Sequence, residues 1–147
     1  MGRFSAMLLV AVLGLAVAGC GGGEKKSEES ELGQEAEAAC TGSRMAEEPK
    51  LPASFPQIEE DKLTYTQQST QGPTNVIEGY FSGDVEEAHD EFEKEVKAAG
   101  YDILFNELEE HDSEISWKGE GRTGQIALRE ECGESDKTYV RITNRAA

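Results

Sequence analysis

Asp84-Val85-Glu86-Glu87-Ala88-His89-Asp90-Glu91-Phe92-Glu93-Lys94-Glu95-Val96-Lys97-Ala98-Ala99-Gly100 is the stretch whose reading decides the fold. Val85, Ala88, Phe92, Val96 and Ala99 recur at intervals of three, four, four and three residues. That spacing lays one apolar stripe along a charged helix. Asp84, or Ser82 before it, is placed to cap the first turn, and Gly100 to end the last. Glu86, Glu87 and Asp90 fall early and Lys94 and Lys97 late, as the helix dipole favours. A helix with a single stripe needs a single apolar surface to cover.

The flanking sequence supplies that surface as strands. Leu63 and Tyr65 alternate with Thr64 and Thr66, and Gln71-Gly72-Pro73 makes a turn. Residues 74–81 form a second strand. Beyond the helix, Tyr101, Ile103 and Phe105 open a third. Residues 114–118, in which Ile115 and Trp117 alternate with polar neighbours, form a fourth; residues 125–130 a fifth; residues 138–143 a sixth. Residues 119–124 and 132–137 read as turns. The order β-β-α-β-β-β-β implies an α+β fold, one amphipathic helix packed on an antiparallel sheet of five to six strands. Phe92 and Val96 are expected to pack on Ile103, Ile126 and Val140. One helix covers one face, so the other, with Thr64, Thr66, Arg129, Arg141 and Thr143, is expected to stay open.

Ahead of the sheet, residues 40–61 hold Pro49, Pro52 and Pro56 with Leu51, Phe55 and Ile58 between them. They read as an extended lead-in laid across a single domain spanning 40–147. Residues 20–39 carry Leu32 as their one large apolar side chain. Such composition buries too little surface to offset ordering entropy, so the segment reads as a flexible acidic tether, with transient helix over 31–39. The chain has no internal repeat.

The N-terminus is an address. Residues 7–19 are apolar and follow a short segment containing Arg3. The run is shorter than the roughly 17–25 residues of a membrane-spanning helix. It closes on Val17-Ala18-Gly19-Cys20, which resembles the lipobox of bacterial lipoproteins. The resemblance implies a signal peptide over 1–19, cleavage before Cys20, and lipidation of Cys20 with acyl chains of the palmitate class. It implies a cell-membrane location on the extracytoplasmic side, held through that lipid. Met1-Gly2-Arg3-Phe4-Ser5-Ala6 lacks the Ser or Thr that N-myristoylation needs where Ala6 stands.

Lipidation of Cys20 leaves Cys40 and Cys132, an even remainder that in an exported protein suggests one disulfide. The alternative, two free thiols for redox or metal chemistry, finds neither Cys-x-x-Cys spacing nor an adjacent His.

The full chain has 14 basic and 30 acidic residues, a net charge of −16. Without Arg3 the balance is 13 minus 30, or −17. Nucleic acid is thereby excluded as an expected partner, because phosphate binding requires a basic face. The same charge repels anionic lipid, so the lipid itself must make the attachment.

Motifs for chemistry are sparse. Gly119-Glu120-Gly121-Arg122-Thr123-Gly124 spells G-x-G-x-x-G, but the dinucleotide fingerprint needs a helix after it, and a strand follows here. Glu86 and His89 share one helix face, yet di-iron carboxylate sites need further such pairs on a bundle. His111-Asp112, after Glu109-Glu110, falls in a turn without the spacing of a calcium loop. Two histidines and no Gly-x-Ser-x-Gly elbow leave nucleophilic catalysis little to stand on. Trp117 reads as core or sheet packing rather than a ligand platform. No cofactor, metal or catalytic residue is expected.

Residues 62–143 loosely resemble the small lipoprotein domains in which an amphipathic helix ending in Gly-aromatic leads into a meander. That resemblance implies a non-enzymatic binding or accessory module at the cell envelope, with an envelope protein as partner. The alternative is an inhibitor of an exported basic enzyme such as a lysozyme or protease. Acidic periplasmic lysozyme inhibitors are its pattern, from which this chain departs in its central helix.

Overall fold

A computed structural model describes residues 24–133 and 136–147. The expected signal peptide and the expected lipidation site, Cys20, lie outside them. The elements run α1 (Glu24–Thr41), β1 (Leu63–Gln71), β2 (Thr74–Ser82), α2 (Val85–Ala98), β3 (Asp102–Leu108), β4 (Asp112–Gly119), β5 (Arg122–Arg129) and β6 (Lys137–Ala146). The fold is α+β, and its strands form one six-stranded sheet in the order β1-β2-β6-β5-β4-β3. Every neighbouring pair is antiparallel. β6 lies between β2 and β5, joining the first hairpin to the β3–β6 meander.

Helix α2 carries its caps where the sequence puts them. Asp84 accepts a hydrogen bond from the Glu87 amide at 2.8 Å. At the other end Gly100 has φ +81°, its amide donates to Lys97 and the Tyr101 amide donates to Val96. That pair of bonds is a Schellman motif, which only a residue at ease in the left-handed region closes without strain. Val85, Ala88, Phe92 and Val96 bury their stripe in one core with Ile115, Trp117, Ile126, Leu128, Val140 and Ile142, and Ile103 packs at its margin.

The lead-in completes that core. Phe55 is buried, its ring centroid 5.1 Å from Trp117 and 6.1 Å from Tyr101. Tyr101 and Trp117 meet edge to face at 5.3 Å. On its way the lead-in passes the outer edge of β1, where the Met45 amide donates to the Tyr65 carbonyl at 2.9 Å. Farther on, Asn144 Nδ2, buried at the end of the sheet, donates to the Lys50 carbonyl at 2.8 Å.

Two local expectations change. The turn after β4 is shorter than read: Gly119 already pairs with Arg122, so Glu120 (φ 49°) and Gly121 (φ 70°) alone make it. Positive φ at both centres is the geometry that suits the twist of a hairpin. In β3 a bulge between Ile103 and Phe105 breaks the alternation and puts these two on opposite faces.

The largest correction concerns residues 20–39. From Glu24 they are not a flexible tether but helix α1, a second helix, on the face opposite α2. Ala36, Ala39 and Cys40 are buried there against Tyr139 and Cys132. Small side chains three apart let the helix backbone approach the sheet, so no large apolar stripe is needed. Cys40 and Cys132 form a disulfide, with Cα atoms 5.3 Å apart at a sequence separation of 92. The cross-link holds the end of α1 against the β5–β6 connection.

Candidate functional site: the uncovered half of the outer sheet face

The sheet has an inner face, filled by α2 and the lead-in, and an outer face shared between α1 and solvent. The expectation of a wholly open outer face is therefore half met. α1 lies over β1, β2 and β6. Thr66, expected in the open, donates its hydroxyl to the Ala39 carbonyl at 2.9 Å. Thr64 lies within 3.4 Å of the Arg44 guanidinium. Arg129, Arg141 and Thr143 lie toward the uncovered side and are partly exposed.

A polar network sits beside Tyr139, against which α1 packs. Glu78 is buried, and Tyr139 donates its hydroxyl to Glu78 Oε1 at 2.5 Å. Gln67 Nε2 donates to Glu78 Oε2 at 3.0 Å, and Arg141 Nε lies 3.8 Å from Oε1. Burial, and then the Glu78 carboxylate, push the Tyr139 phenol far above the ordinary tyrosine range. Tyr139 thus stays a neutral donor. Arg141 Nε is buried and makes no hydrogen bond to the described residues.

Beyond Arg141 the sheet surface is a groove of about 590 Å³, with Leu104 and Phe105 among its lining residues, together with Ser116, Arg141, Thr143 and Arg145. Leu104, Phe105 and Leu108 are 60%, 46% and 42% exposed, and they are the large apolar side chains left exposed among the described residues. All three are on β3. Phe105, opposite Ser116, lies on the outer face, whereas Leu108, opposite Ser113, lies on the inner one. The sequence reading placed Phe105 in one alternation with Tyr101 and Ile103 and did not single out Leu104 or Leu108. Three consecutive apolar residues, Ile103-Leu104-Phe105, were the available sign that alternation fails there.

The residues singled out for chemistry do not come together. Glu86 is exposed, whereas His89 on the same helix turns inward, and its Nδ1 lies 2.6 Å from Ser113 Oγ in the core. His111 is exposed and its Nδ1 is 2.5 Å from Glu130 Oε2, with Glu110 3.9 Å from its other nitrogen. Asp112 enters β4 opposite Arg129. Among the described residues no three His, Cys, Asp or Glu side chains are grouped to hold a metal ion. Trp117 is wholly buried. The last glycine of the G-x-G-x-x-G run, Gly124, stands opposite Trp117 in the β4–β5 ladder. A Cβ there would lie 2.0 Å from the Thr143 carbonyl oxygen and 2.6 Å from the indole ring, so this glycine serves packing rather than phosphate.

Among the described residues no helix is long and apolar enough to cross a membrane. No family model matches the chain, and no curated protein or solved structure is similar to it.

Proposed function

We propose that this chain is a membrane-anchored extracytoplasmic lipoprotein, a non-enzymatic binding module held at the cell envelope by lipid on Cys20. The observation that carries the binding role is the half-covered outer face. α1 takes one side of it, and the groove beside β3 keeps two large apolar side chains, Leu104 and Phe105, in solvent. The site is built on strands rather than loops, which suits a rigid surface for another protein. The non-enzymatic reading rests on how the histidines are spent, one in the core on Ser113 and one in a surface ion pair. The anchor rests on the lipobox resemblance at Val17-Ala18-Gly19-Cys20.

Two measurements test the reading separately. Cys20→Ser should release the protein from membranes or leave the precursor uncut; normal processing and membrane binding of that variant would remove the anchor. A photo-reactive residue at Ser116 or Gln125, on the outer face, should cross-link one envelope protein in cells. The same probe at Lys94, on the solvent side of α2, should not. Equal capture at all three positions would remove the binding face.

A second reading is favoured by one observation. The β3–β4 turn exposes Glu109 and Glu110, and Glu107 and Glu130 flank it, also exposed. An acidic rim around an exposed turn suits inhibition of a basic exported enzyme. Addition of the protein should then slow a basic lysozyme or protease in proportion to occupancy; unchanged rates at high excess would eliminate the inhibitor.

A further inference from the structure

We propose that the outer edge of β3 accepts an extended segment of a partner protein, bearing Lys or Arg between apolar residues, as an added strand. This deepens the binding-module reading and rests on it. The sheet has two edge strands, β1 and β3. They are treated differently. The lead-in runs beside β1 and satisfies part of its backbone through Met45, and the Lys50 amide donates to Gln68 on the same strand. No described segment pairs with the outer side of β3. An open edge presents unpaired amides and carbonyls, which an incoming strand satisfies in register.

The chemistry of the occupant follows from what surrounds that edge. Leu104, Phe105 and Leu108 supply apolar contacts along the strand. Between Gly100 and Trp117 the chain has Asp102, Glu107, Glu109, Glu110, Asp112 and Glu114 and no Lys or Arg. Glu107 stands directly opposite Glu114 across the β3–β4 ladder. Like charges in that position repel, and a cation brought in by a neighbouring strand relieves them. Asp102, by contrast, already faces Lys118. A second copy of this chain brings more of the same acids to the edge, so a basic strand is the better complement.

The test uses the full chain in detergent at low ionic strength, with short end-blocked peptides of alternating Val and Lys, or Val and Glu. Amide hydrogen exchange is read residue by residue. The Val-Lys peptide should slow exchange over residues 102–108, and the Val-Glu peptide should not. Glu107→Lys, a change at an exposed position whose intact fold is checked by circular dichroism, should weaken the Val-Lys peptide at least about fivefold and favour Val-Glu. Equal effects of the two peptides, or protection mapped elsewhere, would overturn the proposal. So would β3 protection that rises with protein concentration without peptide, since a second copy then covers the edge. Cross-linking at Ser116 keeps the two readings apart: specific capture there with silent peptides removes strand addition and leaves the binding module. Peptide protection as described without capture at Ser116 removes the outer-face groove as the binding surface and leaves the β3 edge in its place.

Discussion

Tyr139 on β6 and Glu78 on β2 share a 2.5 Å hydrogen bond, with the phenol as donor, at the border of the surface that α1 covers. The carboxylate is buried with Gln67 as its second donor. It ties the two strands through which the hairpin and the meander are joined.

Tyr139→Phe removes a donor and leaves a buried acceptor short of one partner. The expected cost is about 1–3 kcal/mol, measured by urea unfolding at neutral pH. The pH dependence has a definite sign. A phenol whose folded pKa is raised contributes fully below its unfolded value, about 10, and loses that contribution as pH rises above it. Wild-type stability should therefore fall above about pH 10, and less steeply in Tyr139→Phe; the remaining slope comes from Tyr65 and Tyr101, also raised by burial, and from Lys94, raised by its bonds to Glu95 and Glu91. Identical slopes in the two proteins would contradict the placement of Tyr139.

The Cys40–Cys132 bond closes a long loop, and chain-entropy reasoning gives roughly 4–5 kcal/mol for it. The Cys40→Ser, Cys132→Ser double variant should lose stability of that order. Its earliest effect should be faster amide exchange at Ala36 and Ala39, since the disulfide holds the end of α1. Exchange at Phe92 and Val96 should follow only global unfolding.

Phe92 is wholly buried under the sheet, while Glu93 lies on the helix surface beside Lys97 and Asn106. Phe92→Ala should cost about 3–5 kcal/mol. Glu93→Ala should cost less than about 1 kcal/mol, because its ion pair is exposed to solvent. Urea melts of the two variants make the comparison; equal small losses would mean that α2 does not dock through its apolar stripe.

Gly124→Ala drives a methyl group into the Thr143 carbonyl oxygen and against the Trp117 ring and should cost about 3 kcal/mol or more. Gly121→Ala meets open space, but its φ of 70° imposes about 1–2 kcal/mol of backbone strain. Thermal unfolding with and without a dinucleotide should show these losses and no ligand-induced shift for either variant or the wild type.

The α2 stripe, its caps and the order of α2 and the strands along the chain were legible because each depends on neighbours in sequence. A period of 3.6, an Asp at the start and a Gly at the end carry their own physics, as does alternation along β4 and β6. The cysteine pair was legible by arithmetic once Cys20 was set aside. What only the tertiary structure decided lies in three places. α1 has no stripe of its own; it is ordered because Ala36 and Ala39 fit closely over Tyr139 and the disulfide holds Cys40. Phe105 faces outward because a bulge shifts the β3–β4 register, and register is a property of two strands, not one. Gly124 sits in a strand because the Thr143 carbonyl and the Trp117 indole, from the strands on either side, take the space of its side chain. In each case the deciding contact comes from an element distant in sequence or across a ladder, where local propensity and periodicity carry no information.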